Sequence, residues 1–333
     1  MAELEYLNLY TTDPAFNLAA EQYVFDNLPK DRMYFMLWQN DNAIIIGKFQ
    51  NTAAEINAPY VEQHGIKVIR RLSGGGAVYH DLGNLNFTFI ADVGDIEKLN
   101  MRVFCEPIAK ALASFGVNAE INGRNDITIS GKKFSGNSQY IKDGRVMHHG
   151  TIMFDSNLSV VGEALKADTA KIAAKGIKSV RSRVTNIKPC LAEDIGLEEF
   201  RNRLLSCIIA GNDAHEHVFD EKETEEINRI KEERYDTWEW NYGKSPECSI
   251  IRSKRIEGCG RIETYISTDH GLVSGISFKG DFFSAKDPSQ FEERFIGRRA
   301  DRSGFSEALK DVDLNSYFSG IEYDSMLSLL CGE

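Results

Sequence analysis

The sequence predicts an α+β protein of two domains, and three observations lead to this prediction. Segments with helical spacing and segments rich in β-branched and aromatic residues are both frequent in the first two thirds of the chain. After a Trp-Glu-Trp-Asn-Tyr-Gly-Lys segment at 238–244, the pattern changes to three short strands and then three helical stretches. The length of 333 residues is also long for a single hydrophobic core. We therefore predict a large domain over 1–245 and a small α+β domain over 249–333.

The large domain begins with a helix whose start is marked by Asp13 as N-cap and Pro14 in the first turn. Strands are expected over 33–38 and 43–47, as a pair joined by the polar turn between them. The remaining expected strands lie at 67–69, 86–90, 127–130 and 147–154, and the remaining helices at 96–115, 197–209 and 221–235. In the small domain we expect strands at 249–256, 261–267 and 272–279 and helices at 288–296, 303–311 and 324–331.

The most informative segment runs from Arg70 to Asn84 and contains three consecutive glycines between two expected strands. Glycine can adopt positive φ and has no side chain, so successive backbone N–H groups can turn toward one anion. Arg70 and Arg71 add charged, forked donors. The segment therefore predicts a loop that holds a small anionic ligand, and the alternative at this point is a plain glycine-rich hairpin turn.

Two common nucleotide motifs do not fit this segment. A dinucleotide fingerprint needs a glycine at position 79 and a helix next, whereas Tyr79 and another strand follow. A Walker loop needs a glycine five residues before its Gly-Lys pair, and neither Gly47-Lys48 nor Gly131-Lys132 has one.

Composition restricts the classes of function. The net charge of −11 argues against nucleic acid as a partner, because phosphate backbones are bound by basic surfaces. The chain has no apolar run long enough to span a membrane, and its amino terminus has no basic patch followed by an apolar stretch. The six cysteines lack Cys-x-x-Cys spacing, which disfavours zinc and indicates reduced thiols. We therefore expect a cytoplasmic protein that does not bind membranes.

Three later segments add polar and basic residues. The segment 131–138 is a second Gly- and Ser-rich stretch, expected as a loop with two lysines. His148 and His149 are adjacent on an expected strand and therefore face opposite sides, which indicates buried structural histidines rather than a shared metal. The basic segment 175–186 is expected to be a loop that covers a ligand or a plain exposed linker.

Taken together, these motifs resemble the lipoate-protein ligase A family over nearly the whole chain. The motifs that carry the resemblance, in chain order, are Arg-Arg-x-Ser-Gly-Gly-Gly-Ala-Val-Tyr-His-Asp-x-Gly-Asn at 70–84, Gly-Arg-Asn-Asp at 123–126, Lys-Phe-Ser-Gly at 133–136, His-Gly-Thr at 149–151, the loop at 179–186 and the Trp-rich exit at 238–244. The resemblance implies a biotin/lipoate ligase-type catalytic domain, with a mixed sheet and helices as in class II aminoacyl-tRNA synthetases, plus a small C-terminal accessory domain.

The resemblance also implies the chemistry. Lipoate would attack the α-phosphate of MgATP to form lipoyl-AMP and pyrophosphate, and a lysine of an acceptor lipoyl domain would then take the lipoyl group. The implied acceptors are the E2 subunits of 2-oxoacid dehydrogenases and the H protein of glycine cleavage.

The family pattern also assigns roles to individual residues. Lys133 would be catalytic, bridging the carboxylate and the α-phosphate, while Asp126 would be a magnesium or ligand-orienting carboxylate. The residues implied for ATP or the adenylate are Arg71, Gly76, Ala77, Val78, Tyr79 and Lys133. Those implied for lipoate are Arg71, Ser73, His80 and Lys133, and Gly74, Gly75, Asn84 and Arg183 are further binding candidates.

Three alternatives remain open from the sequence. An octanoyltransferase of the same superfamily would use a cysteine thioester and no ATP, and Cys190 is the thiol to consider, although it follows Pro189 and has no histidine nearby in sequence. A biotin ligase would carry a different basic glycine motif. A lipoate or adenylate binder without turnover is disfavoured by the presence of both Arg71 and Lys133.

Overall fold

The computed structural model of the protein describes residues 3–50, 52–93, 100–122, 125–165, 184–242, 250–269, 272–300 and 302–332. The strands are β1 Leu4–Asn8, β2 Met33–Trp38, β3 Ala43–Ile46, β4 Lys67–Arg70, β5 Val78–His80, β6 Asn84–Asp92, β7 Glu120–Asn122, β8 Asp126–Ile129, β9 Lys132–Lys142, β10 Arg145–Met153, β11 Ala214–Glu216, β12 Ile250–Ile256, β13 Gly260–Asp269 and β14 Leu272–Gly280. The α-helices are Pro14–Asn27, Thr52–Glu55, Ala58–Gln63, Arg102–Ala113, Leu158–Ala164, Leu197–Ile209, Glu221–Ile230, Trp238–Asn241, Pro288–Glu292, Arg302–Leu309 and Tyr323–Cys331.

The chain forms two compact units, and the second one is not a single stretch of sequence. The first unit contains Met1–Ile45, Ile56–Arg70 and Val78–Asn241. The second contains Tyr242–Glu333 together with two short early segments, Ile46–Glu55 and Arg71–Ala77. The start of the glycine segment therefore groups with the C-terminal part of the chain.

The first unit is built on an eight-stranded mixed sheet in the order β11-β1-β2-β6-β10-β9-β8-β7. Strands β1 and β2 are parallel and are connected through the helix Pro14–Asn27, which forms a βαβ unit. The other neighbours from β2 to β7 pair antiparallel. Strands β4, β3 and β5 form a separate small sheet.

The two faces of the eight-stranded sheet differ in polarity. On one face of β6, Leu85, Phe87 and Phe89 are buried in one apolar cluster with the helices Arg102–Ala113 and Leu197–Ile209. On the other face, Thr88 donates to Glu21 of the helix Pro14–Asn27. This second face carries polar side chains although it is buried, which is where a ligand site is expected.

The second unit has its own apolar core. Strands β12, β13 and β14 form an antiparallel sheet in chain order. Phe278, Phe291 and Phe318 are central to its core, with the ring centroids of each pair 5.2–5.4 Å apart. Phe49, from the early segment, is part of the same buried cluster. The expected α+β organisation of the C-terminal region is confirmed.

Three local expectations differ from the structure. Strands 33–38 and 43–46 both form, but they do not pair with each other, because β1 and β6 occupy both edges of β2 while β3 lies between β4 and β5. Of the segment 131–138, Gly131 lies in the turn between β8 and β9 with φ +75°, whereas 132–138, expected as part of a loop, lie in β9. The helix expected over 96–115 begins at Arg102 and ends at Ala113, and residues 94–99 lie outside the described part of the chain.

Candidate active site

The glycine loop starts with a sharply constrained backbone. Gly75 has φ +88°, in the region that favours glycine. A Cβ atom on Gly74 would lie 2.5 Å from the carbonyl oxygen of Phe282, and one on Gly47 would lie 2.0 Å from the carbonyl oxygen of Gly75. A Cβ on Gly76 would meet no heavy atom within 4 Å. Gly74 is therefore required by packing and Gly75 by its backbone conformation, whereas a side chain on Gly76 would face open space.

Arg71 organises this loop from within. Its guanidinium donates to Ser73 Oγ at 3.0 Å and to the carbonyl oxygens of Gly74 and Gly76 at 2.6 and 2.9 Å. Both Arg71 and Ser73 are buried. The Lys48 N–H donates to the Ser73 carbonyl at 2.8 Å and connects the loop to the segment 46–50. The loop thus has a fixed shape with a buried positive charge at its centre.

Arg70 has a different role from the one expected of it. Adjacent strand residues face opposite sides, and Arg70 donates to the carbonyl oxygens of Trp240 and Asn241 at 2.8 and 3.2 Å. Its own N–H donates to Asn241 Oδ1, and Trp240 Nε1 donates to the Arg70 carbonyl. Burial lowers the pKa of Arg70 to about 10. Arg70 therefore holds the Trp-rich segment against β4, and the loop's charge comes from Arg71.

After the loop, the segment Val78–His80 forms β5 and pairs antiparallel with β3. Tyr79 donates to Asn42 Oδ1 at 3.1 Å, and burial together with the carboxylates of Asp81 and Asp41 raises the pKa of Tyr79 to about 12. His80 is buried, with Nδ1 3.1 Å from the Asn40 amide nitrogen. The side chains of these two residues are thus fixed by protein contacts.

Lys133 lies on β9 and forms an ion pair with Asp126 of β8, with 2.7 Å between Nζ and Oδ1. Both side chains are about one third exposed, at 33% and 39%. The Lys133 side chain lies over Gly136, where a Cβ atom would be 2.8 Å from Nζ. The neighbouring Lys132 is exposed, because alternate strand residues point to opposite sides. The lysine and the glycine of the Lys-Phe-Ser-Gly motif are therefore complementary: Lys133 supplies the cation, and Gly136, which has no side chain, leaves room for it.

A row of polar residues crosses the sheet beside this pair. Asp126 is opposite Gly136, the Gly136 N–H donates to Thr151 Oγ1 at 3.1 Å, and Thr151 is opposite Asn86. Because directly paired residues share a face, this row places the Lys133–Asp126 pair and Asn86 on one side of the sheet. Next to it, Thr88 and His149 are opposite each other.

Two asparagines on this face are buried with unsatisfied polar atoms. Asn84 donates to Asn86 Oδ1 at 2.8 Å, which leaves Asn84 Oδ1 and Asn86 Nδ2 without a hydrogen-bond partner among the described residues. Buried polar atoms normally have partners, so the pair is typical of a site that receives a ligand or water. Asn86 and Thr151 were not among the sequence candidates. The signal was the alternation of Asn84, Asn86 and Thr88 along a strand that is otherwise apolar.

The two histidines of β10 are buried, as expected. His148 packs between Phe87 and Phe104, with ring centroids 6.1 and 5.1 Å away. Burial and the neighbouring His149 lower the pKa of His148 to about 3. His149 Nδ1 lies 3.1 Å from Glu21 Oε1 on the polar face. The described residues include no cluster of three His, Cys, Asp or Glu side chains that could hold a metal ion.

Some sequence candidates lie outside the described residues. These are Arg183 and the rest of 175–183, Gly123 and Arg124 of the Gly-Arg-Asn-Asp motif, and 243–249 at the end of the Trp-rich exit. Cys190 is described, is exposed and ends the short 3₁₀ turn Lys188–Cys190. In the described part of the chain, no helix has the length and apolar character needed to cross a membrane.

Two family models match the chain. The Lipoyl protein ligase A/B catalytic domain matches residues 13–209, and the Bacterial lipoate protein ligase C-terminus matches residues 245–330. Lipoate-protein ligase LplJ of Bacillus subtilis is 45% identical over 97% of this chain and 98% of its own length.

Two solved structures are also similar. An archaeal bipartite lipoate protein ligase of Thermoplasma acidophilum, solved with its E2 lipoyl domain, has a TM-score of 0.66 at 29% identity over 75% of this chain and all of its own. Lipoate-protein ligase A bound with ATP has a TM-score of 0.62 at 27% identity over 73% of this chain and 98% of its own.

The mixed sheet with its polar face and glycine loop defines an enzyme of the biotin/lipoate ligase type. The chain belongs to the lipoate-protein ligase family. The expected fold class and enzyme class are confirmed, and the octanoyltransferase alternative is not favoured.

Proposed function

We propose that the chain joins lipoate to proteins in two half-reactions. In the first, a carboxylate oxygen of lipoate attacks the α-phosphorus of ATP, and the bond to pyrophosphate breaks. In the second, the amine of an acceptor lysine attacks the acyl carbon of lipoyl-AMP, AMP leaves with the bridging oxygen, and the amine loses a proton. The ATP-bound relative and the relative solved with a lipoyl domain support the two substrates of this scheme.

The observation that carries the proposal is the fixed position of Lys133. Its ammonium is held by Asp126 at 2.7 Å and lies over the bare backbone of Gly136, on the polar side of the sheet. Bringing a carboxylate to a phosphate opposes two negative charges. A positioned cation between them stabilises the transition state more than the separated substrates. In this scheme Lys133 exchanges its contact with Asp126 for the substrate oxygens.

The glycine loop and β5 bind the nucleotide in our proposal. Arg71 gives the loop its shape and charge, and the backbone from Gly76 to Tyr79 is the part that contacts phosphate. Ser73, His80 and Asn84 are proposed to contact lipoate, with Gly74, Gly75 and Arg183 as further binding residues.

Magnesium enters the proposal as the counterion of ATP. Mg²⁺ keeps several waters and binds mainly to phosphate oxygens, so a single carboxylate in the protein is sufficient. Asp126 fits this use in part: Oδ1 is paired with Lys133, and the side chain is partly exposed. Bound magnesium would offset phosphate charge, while Asp126 itself orients Lys133.

The proposed acceptors are lipoyl domains, including E2 subunits and the glycine cleavage H protein, and the proposed location is the cytoplasm. The related structure solved with an E2 lipoyl domain supports the acceptor class. The five described cysteines are all free thiols, in agreement with a reducing compartment.

The test uses two adjacent lysines. We expect Lys133→Ala to slow the formation of lipoyl-AMP in a single turnover by at least about 100-fold, because it removes the positioned cation. Lys132→Ala is the matched control and should stay within about twofold of wild type, since Lys132 faces away from the site. Equal rates for wild type and Lys133→Ala, measured by pyrophosphate release, would refute the assignment.

A further inference from the structure

The two halves of the glycine loop have different surroundings within the second unit. Gly74 and Gly75 lie against the exit of β14: the Gly75 N–H donates to the carbonyl oxygen of Phe282 at 3.4 Å, and a Cβ atom on Gly75 would lie 3.5 Å from the Phe283 ring. Gly76, by contrast, has no heavy atom within 4 Å of its Cβ position. Gly74 and Gly75 are therefore packed against Phe282 and Phe283, whereas the Cβ position of Gly76 faces open space.

The surface that Gly74 and Gly75 contact is closely packed. Phe282 is fully buried and stacks on Phe49, with ring centroids 4.7 Å apart and ring planes at 10°. It also packs on Phe318, with centroids 4.8 Å apart. The Phe283 carbonyl accepts from the Ser319 N–H at 2.9 Å. Phe49, Phe282 and Phe318 belong to the apolar core of the second unit, and the buried Phe283 directly follows Phe282 in the chain.

The early segment 46–50 fixes the loop as well. The Gly280 N–H donates to the Phe49 carbonyl, and the Lys48 N–H donates to the Ser73 carbonyl. Phe49 is therefore tied through the backbone to the exit of β14, and its neighbour Lys48 to the start of the loop. The loop direction at Gly74 and Gly75, and hence the orientation of the peptide groups that follow, depends on these contacts.

We infer that Phe49, Phe282 and Phe283 are positioning residues for nucleotide binding that act through the glycine loop. This inference rests on the proposed function. The three residues act through the backbone of Gly74 and Gly75, and they set the direction in which Gly76 to Tyr79 present their N–H groups to phosphate. A binding loop that is preorganised in this way gains affinity because less ordering is needed when the ligand arrives.

The test compares equal substitutions at two buried phenylalanines of the second unit. Phe283→Leu shortens the side chain that meets Gly75, whereas Phe305→Leu makes the same change at a fully buried ring of the helix Arg302–Leu309. We expect Phe283→Leu to raise the KM for ATP at least about fivefold, equivalent to about 1 kcal/mol. The kcat should stay within about twofold. Phe305→Leu should lower the Tm without changing the KM for ATP.

Two further variants separate positioning from general destabilisation. Phe49→Leu should also raise the KM for ATP, because it removes the ring stacked on Phe282. Phe283→Met, whose unbranched side chain reaches farther than that of leucine, should have a KM for ATP closer to that of wild type. Equal KM values for ATP in Phe283→Leu and Phe305→Leu would overturn the inference.

A direct binding measurement distinguishes this inference from the proposed function. The dissociation constant of ATP, measured by calorimetry without lipoate, should rise in Phe283→Leu even if wild type were to release no pyrophosphate with lipoate. Absent pyrophosphate release in wild type would reject the proposed function. An unchanged dissociation constant in Phe283→Leu would reject the positioning role.

Discussion

At the scale of single residues, the three consecutive glycines of the loop have distinct reasons for lacking a side chain. At Gly74 the Phe282 carbonyl occupies the space that a Cβ atom would need, and Gly75 adopts a positive φ that favours glycine. Neither applies to Gly76, and we propose close approach of a ligand as the reason for glycine there. Substitution by alanine can therefore separate a packing role from a binding role inside one tripeptide.

We expect Gly74→Ala to lower the stability of the fold and Gly76→Ala to leave it unchanged. A Cβ on Gly74 would lie 2.5 Å from a backbone oxygen that cannot move freely, and such overpacking costs typically about 1–3 kcal/mol. Gly76→Ala should instead weaken ATP binding at wild-type Tm. Thermal unfolding and ATP titration of both variants are the measurements, and a Gly76→Ala protein with wild-type ATP affinity would contradict the ligand role.

Glu55 is a carboxylate whose environment affects stability. Burial and the nearby carboxylates of Asp281 and Glu263 raise the pKa of Glu55 to about 7, although Arg261 and a hydrogen bond from Gln50 act in the opposite direction. The folded protein thus holds this proton more tightly than the unfolded chain does. The free energy of unfolding is therefore reduced progressively as the pH rises from about 4.5 to about 7.

We expect Glu55→Gln to be more stable than wild type at pH 8, by an amount on the order of 2 kcal/mol, and equally stable near pH 4.5. Glutamine retains the shape and avoids the buried charge. The exposed Glu257→Gln is the matched control and is measured in the same way. Urea unfolding at the two pH values gives the measurement, and a Glu55→Gln difference that is independent of pH would show that Glu55 does not titrate in this range.

At the scale of elements, β9 shows why part of the site was not predictable. The composition of residues 131–138, rich in glycine, serine and lysine, is typical of a loop, yet 132–138 lie in a strand. Its Gly136 is bare because Lys133 folds over it, and glycine in a strand often marks such a close approach. Propensity describes a residue's average surroundings, and here pairing with β8 and β10 determines the conformation.

We expect Gly136→Ala to slow adenylate formation about tenfold or more while changing the Tm little. The added Cβ would lie 2.8 Å from Lys133 Nζ, and a flexible side-chain end can move away at small cost to stability. That movement takes Lys133 away from the place over Gly136 from which, in our proposal, it reaches the substrate oxygens. Gly162→Ala, in the helix Leu158–Ala164 with no heavy atom near its Cβ position, is the control and should be fully active. Wild-type single-turnover rates for Gly136→Ala would show that the position of Lys133 is not critical.

Most elements were predictable where the periodicity is strong. The helix Leu197–Ile209 and the three C-terminal strands match their predicted ranges closely, because one apolar stripe or an alternating pattern defines each of them. Pairing was less predictable: adjacency in sequence suggested a hairpin of β2 and β3, but β2 is enclosed by β1 and β6. Partner choice depends on packing of the whole sheet, which a local pattern does not contain.

At the scale of the whole molecule, the chain order of the glycine segment does not coincide with the compact units. Residues 71–77 group with the C-terminal unit, while β5, β6 and Lys133 belong to the first. Motif spacing identified the candidate residues but could not assign them to units. Roles for Arg71 and Arg70 also became distinct only once their hydrogen-bond partners were known.

The central claim is that lipoate is activated by attack of its carboxylate on the α-phosphate, at a site where Lys133 supplies the cation. The most direct measurement uses lipoate labelled with heavy oxygen in both carboxylate positions, together with ATP and an apo lipoyl domain. Mass spectrometry of the released AMP should find one heavy oxygen per AMP, matched by one lipoyl group per acceptor, and neither product should form with Lys133→Ala. Unlabelled AMP, or lipoylation accompanied by ADP and phosphate, would contradict the account.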